Sequence, residues 1–124
     1  MQIIATDNAP AAVGPYSQAI VANGFVFVSG QLPINPQTGE LSQGSVAEQT
    51  RLVAVNIAAI LEEAGSGLDK VVKTSCFLAD LADFGAFNEE YANHFVSNPA
   101  RECVQAAALP KGARLEVSVI ALAE

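Results

Sequence analysis

Two charged residues carry most of the chemistry this sequence can offer. Arg101 opens the stretch PARECVQAAALP, from Pro99 to Pro110, whose remainder from Val104 to Leu109 is almost wholly apolar or small. It is one of only six basic residues in a chain of 124. A guanidinium taken from water without a partner is too costly to persist, so Arg101 calls for an anion, either a carboxylate of the protein or one of a ligand. The other candidate is Glu116, a carboxylate set in the apolar segment RLEVSVIALA. The thiols offer less. Cys76 and Cys103 sit in strand-like segments without CxxC or histidine spacing, so neither a zinc site nor a disulfide framework is indicated and both read as reduced. His94 is the only histidine and falls at a helix end, where it complements the dipole, so a cysteine nucleophile lacks its base.

The elements that must position these groups follow from patterning. Gln2 to Ala5 suits a short edge strand. Asn23-Gly24 lies between two apolar runs and is the dipeptide of a type I′ hairpin, so the strands on either side are antiparallel neighbours. Phe25 to Val28 is apolar on both faces, as a central strand should be. SVAE at Ser45 fits a capping box that starts a helix, with Val53, Ile57, Ile60, Leu61 and Ala64 as its apolar stripe, Arg51, Asn56, Glu62 and Glu63 off it, and Gly65 as its stop. Lys70 to Asp80 is β-branched and reads as the fourth strand. Asp80 and Asp83 cap a second helix with the stripe Phe84, Phe87, Tyr91 and Phe95, ending near Asn98 and Pro99.

PARECVQAAALP and RLEVSVIALA then form a final hairpin around Pro110, Lys111 and Gly112. The order is β-β-β-α-β-α-β-β, an α+β domain over residues 1–124 whose mostly antiparallel six-stranded sheet carries both helices on one face. In the last strand Leu115, Val117 and Val119 share the helix side and Glu116 the other. In the strand before it, Val104, Ala106 and Ala108 go under the helices while Arg101, Cys103 and Gln105 face outward. The outward face holds too much apolar material for open water, so the sheet is expected to associate with further copies. Hairpin pairing puts Glu116 opposite Ala107 and Arg101 opposite Leu122, roughly 20 Å apart at about 3.3 Å per residue. On that spacing the two can serve one site only across a subunit interface.

Composition narrows the function classes. Hydrophobic content of 51% over this length supports one domain with one core. A net charge of −7 and a pI near 4.5 disfavour nucleic-acid binding, which rests on clustered lysine and arginine. No leader or apolar run of membrane-spanning length is present, so a cytoplasmic location without membrane attachment is expected. On residue type alone, Arg101 reads first as a structural ion-pair residue, Glu116 as a solvated strand carboxylate and Cys103 as a small core residue. Tyr16 and Ser29 read as ordinary loop-edge residues.

In combination, GPYSQAI, VSGQLPINPQTGE, VVKTSCFLADLADFGAFNEEY, PARECVQAAALP and LEVSVIA resemble the RidA (YjgF) family, the reactive-intermediate deaminases, over nearly the whole chain. The resemblance implies a chorismate-mutase-like fold, a homotrimer with clefts between subunits, and hydrolysis of 2-imino acids to 2-keto acids and ammonia. The imines arise from enamines such as 2-aminoacrylate and 2-aminocrotonate. It further implies Arg101 as a bidentate clamp on the substrate carboxylate and Glu116 as the carboxylate that activates water and returns a proton to the departing nitrogen. Tyr16, Ser29 and Gly30 match pocket-lining positions, Cys103 contributes through backbone groups, and Asn88 has a supporting role. No metal or cofactor is implied, because a protonated imine is already electrophilic. The chain departs from the family pattern in a shortened loop that places Asn98, where an aromatic residue is usual, before Pro99, and in the small residues Ala106 to Ala108. The competing class is a non-catalytic trimeric module that binds small carboxylates or amino-acid-derived metabolites, for which Arg101 alone suffices.

Overall fold

Asn23 and Gly24 take φ values of 52° and 81°, the left-handed pair that a two-residue I′ turn demands, and join β2 (Ala19–Ala22) to β3 (Phe25–Gln31). The computed structural model describes residues 1–124. β1 (Gln2–Ile4) pairs antiparallel with β2 as one edge of the sheet, and β3 lies inside it. Each of these placements matches the sequence expectation.

The capping box forms in full at the start of α1 (Val46–Glu63). Ser45 Oγ accepts from the Glu48 N–H at 3.1 Å and Glu48 Oε1 accepts from the Ser45 N–H at 2.9 Å. Gly65, at φ 78°, closes the helix in a Schellman motif, with Ser66 N–H on Leu61 O at 2.8 Å and Gly65 N–H on Glu62 O at 3.0 Å. The stripe buries Val53, Ala54, Ile57, Ile60 and Leu61. Asn56, placed off the stripe by periodicity, is fully buried. Its Nδ2 donates to Ile34 O at 2.9 Å, so the amide goes inside to satisfy a carbonyl of the long loop.

The remaining elements are β4 (Val71–Leu78), α2 (Phe84–Ala92), β5 (Ala100–Gln105) and β6 (Leu115–Leu122), and the sheet order is β1-β2-β3-β6-β4-β5. A short 3₁₀ turn over Leu81–Asp83 precedes α2, and Asp80 caps it by accepting from Ala82 N–H at 2.9 Å. Asp83 makes no side-chain capping bond.

The expected final hairpin does not form. β5 pairs parallel with β4, while β6 pairs antiparallel with both β3 and β4. The physical reason is the α2 crossover: a strand that returns by way of a helix on one face arrives parallel to the strand it left. β6, with Leu115, Val117, Val119 and Ala121 all buried, takes the central slot where both its edges are paired. The connection between β5 and β6 is no tight turn; it bends at Lys111 and Gly112, with φ of 60° and 69°.

Two further expectations change with the pairing. PARECVQAAALP is not a buried strand, because β5 is the exposed outer edge and Ala106 to Leu109 lie beyond its end. Its faces are also reversed. Arg101 and Cys103 pair in register with Thr74 and Cys76, both fully buried beneath the helices, so Arg101, Cys103 and Gln105 lie on the helix side. Glu102 and Val104 lie on the other side, where Ser75 and Lys73 reach Glu102 at 2.6 Å and 2.7 Å. Both helices cover one face of the sheet around a cluster of 21 buried residues. The opposite face leaves Ile3, Phe25, Phe27, Val104 and Leu122 exposed.

Candidate active site

Glu116 lies on the uncovered face of β6, between the two strands that shape its surroundings. On one side stands Phe77 of β4, its register partner. On the other, the β3–β6 ladder is interrupted between Val28 and Gln31, and the interruption brings the Gly30 backbone against the carboxylate. A β-carbon at Gly30 would come within 2.9 Å of Glu116 Cδ. Burial pushes the Glu116 carboxyl above its usual range. Such a shift moves a carboxylate toward the working range of a general base.

The wall around Glu116 is fixed by hydrogen bonds from β3 and the segment before β2. Ser29 Oγ donates to Ser17 O at 2.6 Å and Ser29 N–H to Gln18 O at 2.9 Å, which ties Tyr16 and its neighbours to the strand. Gln18, itself buried, accepts from Thr6 N–H at 2.7 Å and donates to Pro10 O at 2.8 Å, and so holds the N-terminal connection in place. The resulting cleft, about 420 Å³, is lined by Pro10, Val13, Tyr16, Ser29, Gly30, Lys111 and Glu116. Four residues singled out from the sequence, Tyr16, Ser29, Gly30 and Glu116, therefore meet in one cavity.

Arg101, Asn88 and Cys103 gather elsewhere. Asn88 stands on α2, where Phe84, Asn88 and Tyr91 follow at i, i+4 and i+7 and so share one face. Arg101 Nη1 donates to Asn88 Oδ1 at 2.6 Å, and the guanidinium lies 4.8 Å from the Tyr91 ring centroid and 5.5 Å from that of Phe84. No carboxylate pairs with it, whereas Arg51 pairs with Glu90, Arg114 with Asp83 and Lys73 with Glu102. One amide oxygen leaves most of the five guanidinium donors free for an anion. A second cleft, about 300 Å³, borders Arg101 between Asn88, Tyr91, Phe95, Asn98 and Pro99. Asn98 sits there at φ 51°.

Cys103 lies two residues beyond Arg101 on the same face and is half-buried. Burial raises its thiol, and that of the fully buried Cys76 is pushed up to about 12. Neither offers a thiolate for attack. His94 instead binds Glu90, Nε2 to Oε2 at 2.7 Å.

Arg101 and Glu116 remain apart within one chain, although not by the hairpin arithmetic. Thr74 and Phe77, their register partners on β4, are three residues apart, so the offset is roughly 10 Å along the strand and roughly 10 Å across two strand spacings. They also lie on opposite faces of the sheet. Sequence reasoning missed Gln18, which braces the Glu116 cleft, and Lys111, which lines it. Lys111 carried a signal only as part of a Pro-Lys-Gly turn.

Comparison with known proteins covers nearly the whole chain. The family described as Endoribonuclease L-PSP matches residues 6–123. A RutC family protein of Pyrococcus abyssi is 49% identical over 99% of this chain and 98% of its own length. The 2-iminobutanoate/2-iminopropanoate deaminase of Rattus norvegicus is 46% identical over 98% of this chain and 89% of its own. A crystal structure from Thermotoga maritima superposes with a TM-score of 0.97 at 45% identity, covering 100% of this chain and 98% of that one. That of E. coli TdcF with bound serine gives 0.92 at 42%, covering 98% of each. Matched in sequence and fold from end to end, this chain belongs to the Endoribonuclease L-PSP family, the YjgF/RidA family.

Proposed function

We propose that this chain hydrolyses 2-imino acids to 2-keto acids and ammonia, in clefts that join the Glu116 cavity of one copy to the Arg101 half-site of another. The observation that carries the reading is the division of the site: a guanidinium with no carboxylate partner and a half-buried carboxylate with no cation partner, on opposite faces of one sheet. A small imino acid has a carboxylate for the first and an electrophilic carbon for the second, but it cannot span the two within one chain. The exposed apolar face around Phe25, Phe27 and Leu122 supports association of copies, and a closed homotrimer is the arrangement we infer. The relatives named 2-iminobutanoate/2-iminopropanoate deaminase support the reaction class.

The chemistry follows from the groups. Arg101 holds the substrate carboxylate through parallel N–H bonds. Glu116, ionised, takes a proton from water as its oxygen bonds to the carbon of the protonated C=N, giving a carbinolamine. Protonated Glu116 then gives that proton to the nitrogen. The C–N bond breaks as the hydroxyl proton returns to Glu116, leaving the keto acid, and ammonia departs with the proton as ammonium. Tyr16, Ser29 and Gly30 shape the pocket, Asn88 steadies Arg101, and the backbone at Cys103 borders the ligand. The chain's own residues supply every proton transfer in this scheme.

A second reading, a module that only binds small carboxylates, draws on the serine bound to E. coli TdcF, an amino acid and not an imine. The deciding experiment generates 2-aminoacrylate or 2-aminocrotonate in situ with a dehydratase and follows keto acid release. Acceleration by the native chain, lost in Glu116→Ala while carboxylate binding persists, is expected for the enzyme. Carboxylate binding without acceleration by the native chain favours the module.

A further inference from the structure

The clamp that this reading assigns to Arg101 is held from below by a closed set of contacts. Arg101 and Thr74 are direct register partners on β5 and β4, so strand pairing fixes one backbone against the other. Thr74 is fully buried, and its Oγ1 lies 2.8 Å from the hydroxyl of Tyr91. Tyr91 projects from α2, and its ring returns to Arg101, 4.8 Å from the guanidinium carbon. The circuit therefore runs from strand to strand, from core hydroxyl to phenol, and from ring back to the cation. Phe95 stacks on Tyr91 at 4.4 Å and 25°, which limits tilting of the ring.

We propose that Tyr91 is a positioning residue for the Arg101 clamp: its ring sets the plane of the guanidinium, and Thr74, by holding the phenol, sets the ring. Tyr91 acts through Arg101, because its hydroxyl is committed to a core threonine and the residue is only 7% exposed. A planar fork binds a carboxylate with two parallel bonds only when its plane is correct, so a ring that fixes the plane acts on binding. Asn88 fixes one edge of the same fork at Nη1, and Tyr91 fixes its face. The inference rests on the reading that Arg101 binds the substrate carboxylate.

The test separates positioning from the clamp itself. Equilibrium binding of 2-oxobutanoate and steady-state hydrolysis of 2-iminobutanoate are measured for Arg101→Ala, Tyr91→Leu, Tyr91→Phe, Thr74→Val and the double variant Tyr91→Phe/Thr74→Val, with folding checked by circular dichroism and thermal melting. Tyr91→Leu is expected to weaken 2-oxobutanoate binding and raise KM by about tenfold, with kcat within about threefold. Tyr91→Phe and Thr74→Val break the same bond, so each is expected to cost about threefold in binding and the pair no more than either alone. If Arg101→Ala binds 2-oxobutanoate normally, the clamp reading and this inference both fall. If Arg101→Ala loses binding while a folded Tyr91→Leu keeps it, only the positioning role is overturned. Should Tyr91→Leu not fold, the phenylalanine–valine cycle decides, and full additivity in that cycle overturns the proposal.

Discussion

Gly30 and Glu116 are packed so closely that a side chain at position 30 and the present pose of the carboxylate exclude each other. The Gly30 backbone leaves the regular ladder where β3 passes Glu116, and the missing β-carbon makes the room. Gly30→Ala therefore forces the carboxylate to rotate away. The clash falls on the flexible end of a side chain, so the expected stability loss is about 1 kcal/mol or less. The expected loss of kcat/KM is about 10- to 100-fold, since a displacement of ~1 Å in a reacting group carries a cost of that size. Matched melting curves and imine hydrolysis rates check this, and a fully active Gly30→Ala would remove Glu116 from the reaction in its present pose.

The half-buried Glu116 carboxyl also leaves a signature in stability against pH. Its folded pKa lies above the ordinary 4.5, raised by desolvation. Between those two values the native state binds more protons than the unfolded chain, so the Glu116 contribution falls as pH rises through that window. Glu116→Gln removes this titration. The variant is expected to gain stability relative to the native chain as pH rises from below 4.5 toward neutrality, and to hold a constant difference above the folded pKa. Urea unfolding midpoints across that range test it; a difference independent of pH contradicts the shift. Hydrolysis should fall about 10²- to 10⁴-fold in the same variant, as expected when a general base is lost.

Copies carrying Arg101→Ala and copies carrying Glu116→Ala should each be inactive alone and active together. If every cleft takes its arginine from one copy and its carboxylate from another, random mixing restores about a quarter of the clefts in a symmetric ring. The measurement is kcat per cleft after co-refolding equal amounts of the two variants. Activity no higher than the sum of the two variants places both groups in the same copy's site and rejects the shared cleft.

What the sequence made legible was local. Ser45, Glu48 and Gly65 bound α1 because capping and C′ chemistry depend on residues three or four positions apart. Asn23-Gly24 fixed a hairpin for the same reason. The pairing of β5 was not legible, because Arg101 meets Thr74 across 27 residues and nothing in either segment marks a parallel partner. Alternation alone placed Arg101 and Cys103 on the wrong face once an antiparallel neighbour had been assumed, since facing is read relative to the partner. Tyr16, the adjacent Ser29 and Gly30, and Glu116 come from separate stretches of the sequence and line one cavity. The bracing roles of Gln18 beneath the N-terminal connection and Tyr91 beneath Arg101 were not legible from the motifs that contain them, because each acts through a distant contact.

Arg101→Lys keeps the charge and discards the geometry, and so measures how much of substrate binding is planar recognition. In the native chain the guanidinium spends one Nη1 bond on Asn88 and lies over Tyr91 and Phe84, with its other donors free. An ammonium is a compact point charge that can satisfy Asn88 or a carboxylate oxygen, but it cannot hold both carboxylate oxygens in one plane. Losing one charge-assisted hydrogen bond costs about 1.5–3 kcal/mol, which at ~1.4 kcal/mol per tenfold predicts a rise in KM of roughly 10- to 100-fold. kcat should change far less, because Glu116 and the water are untouched by the substitution. A lysine variant with native KM would mean that bulk positive charge suffices. The exposed Arg101 would then act by attracting the anion to the cleft, and raising the ionic strength would weaken substrate capture in the native chain as steeply as in the variant.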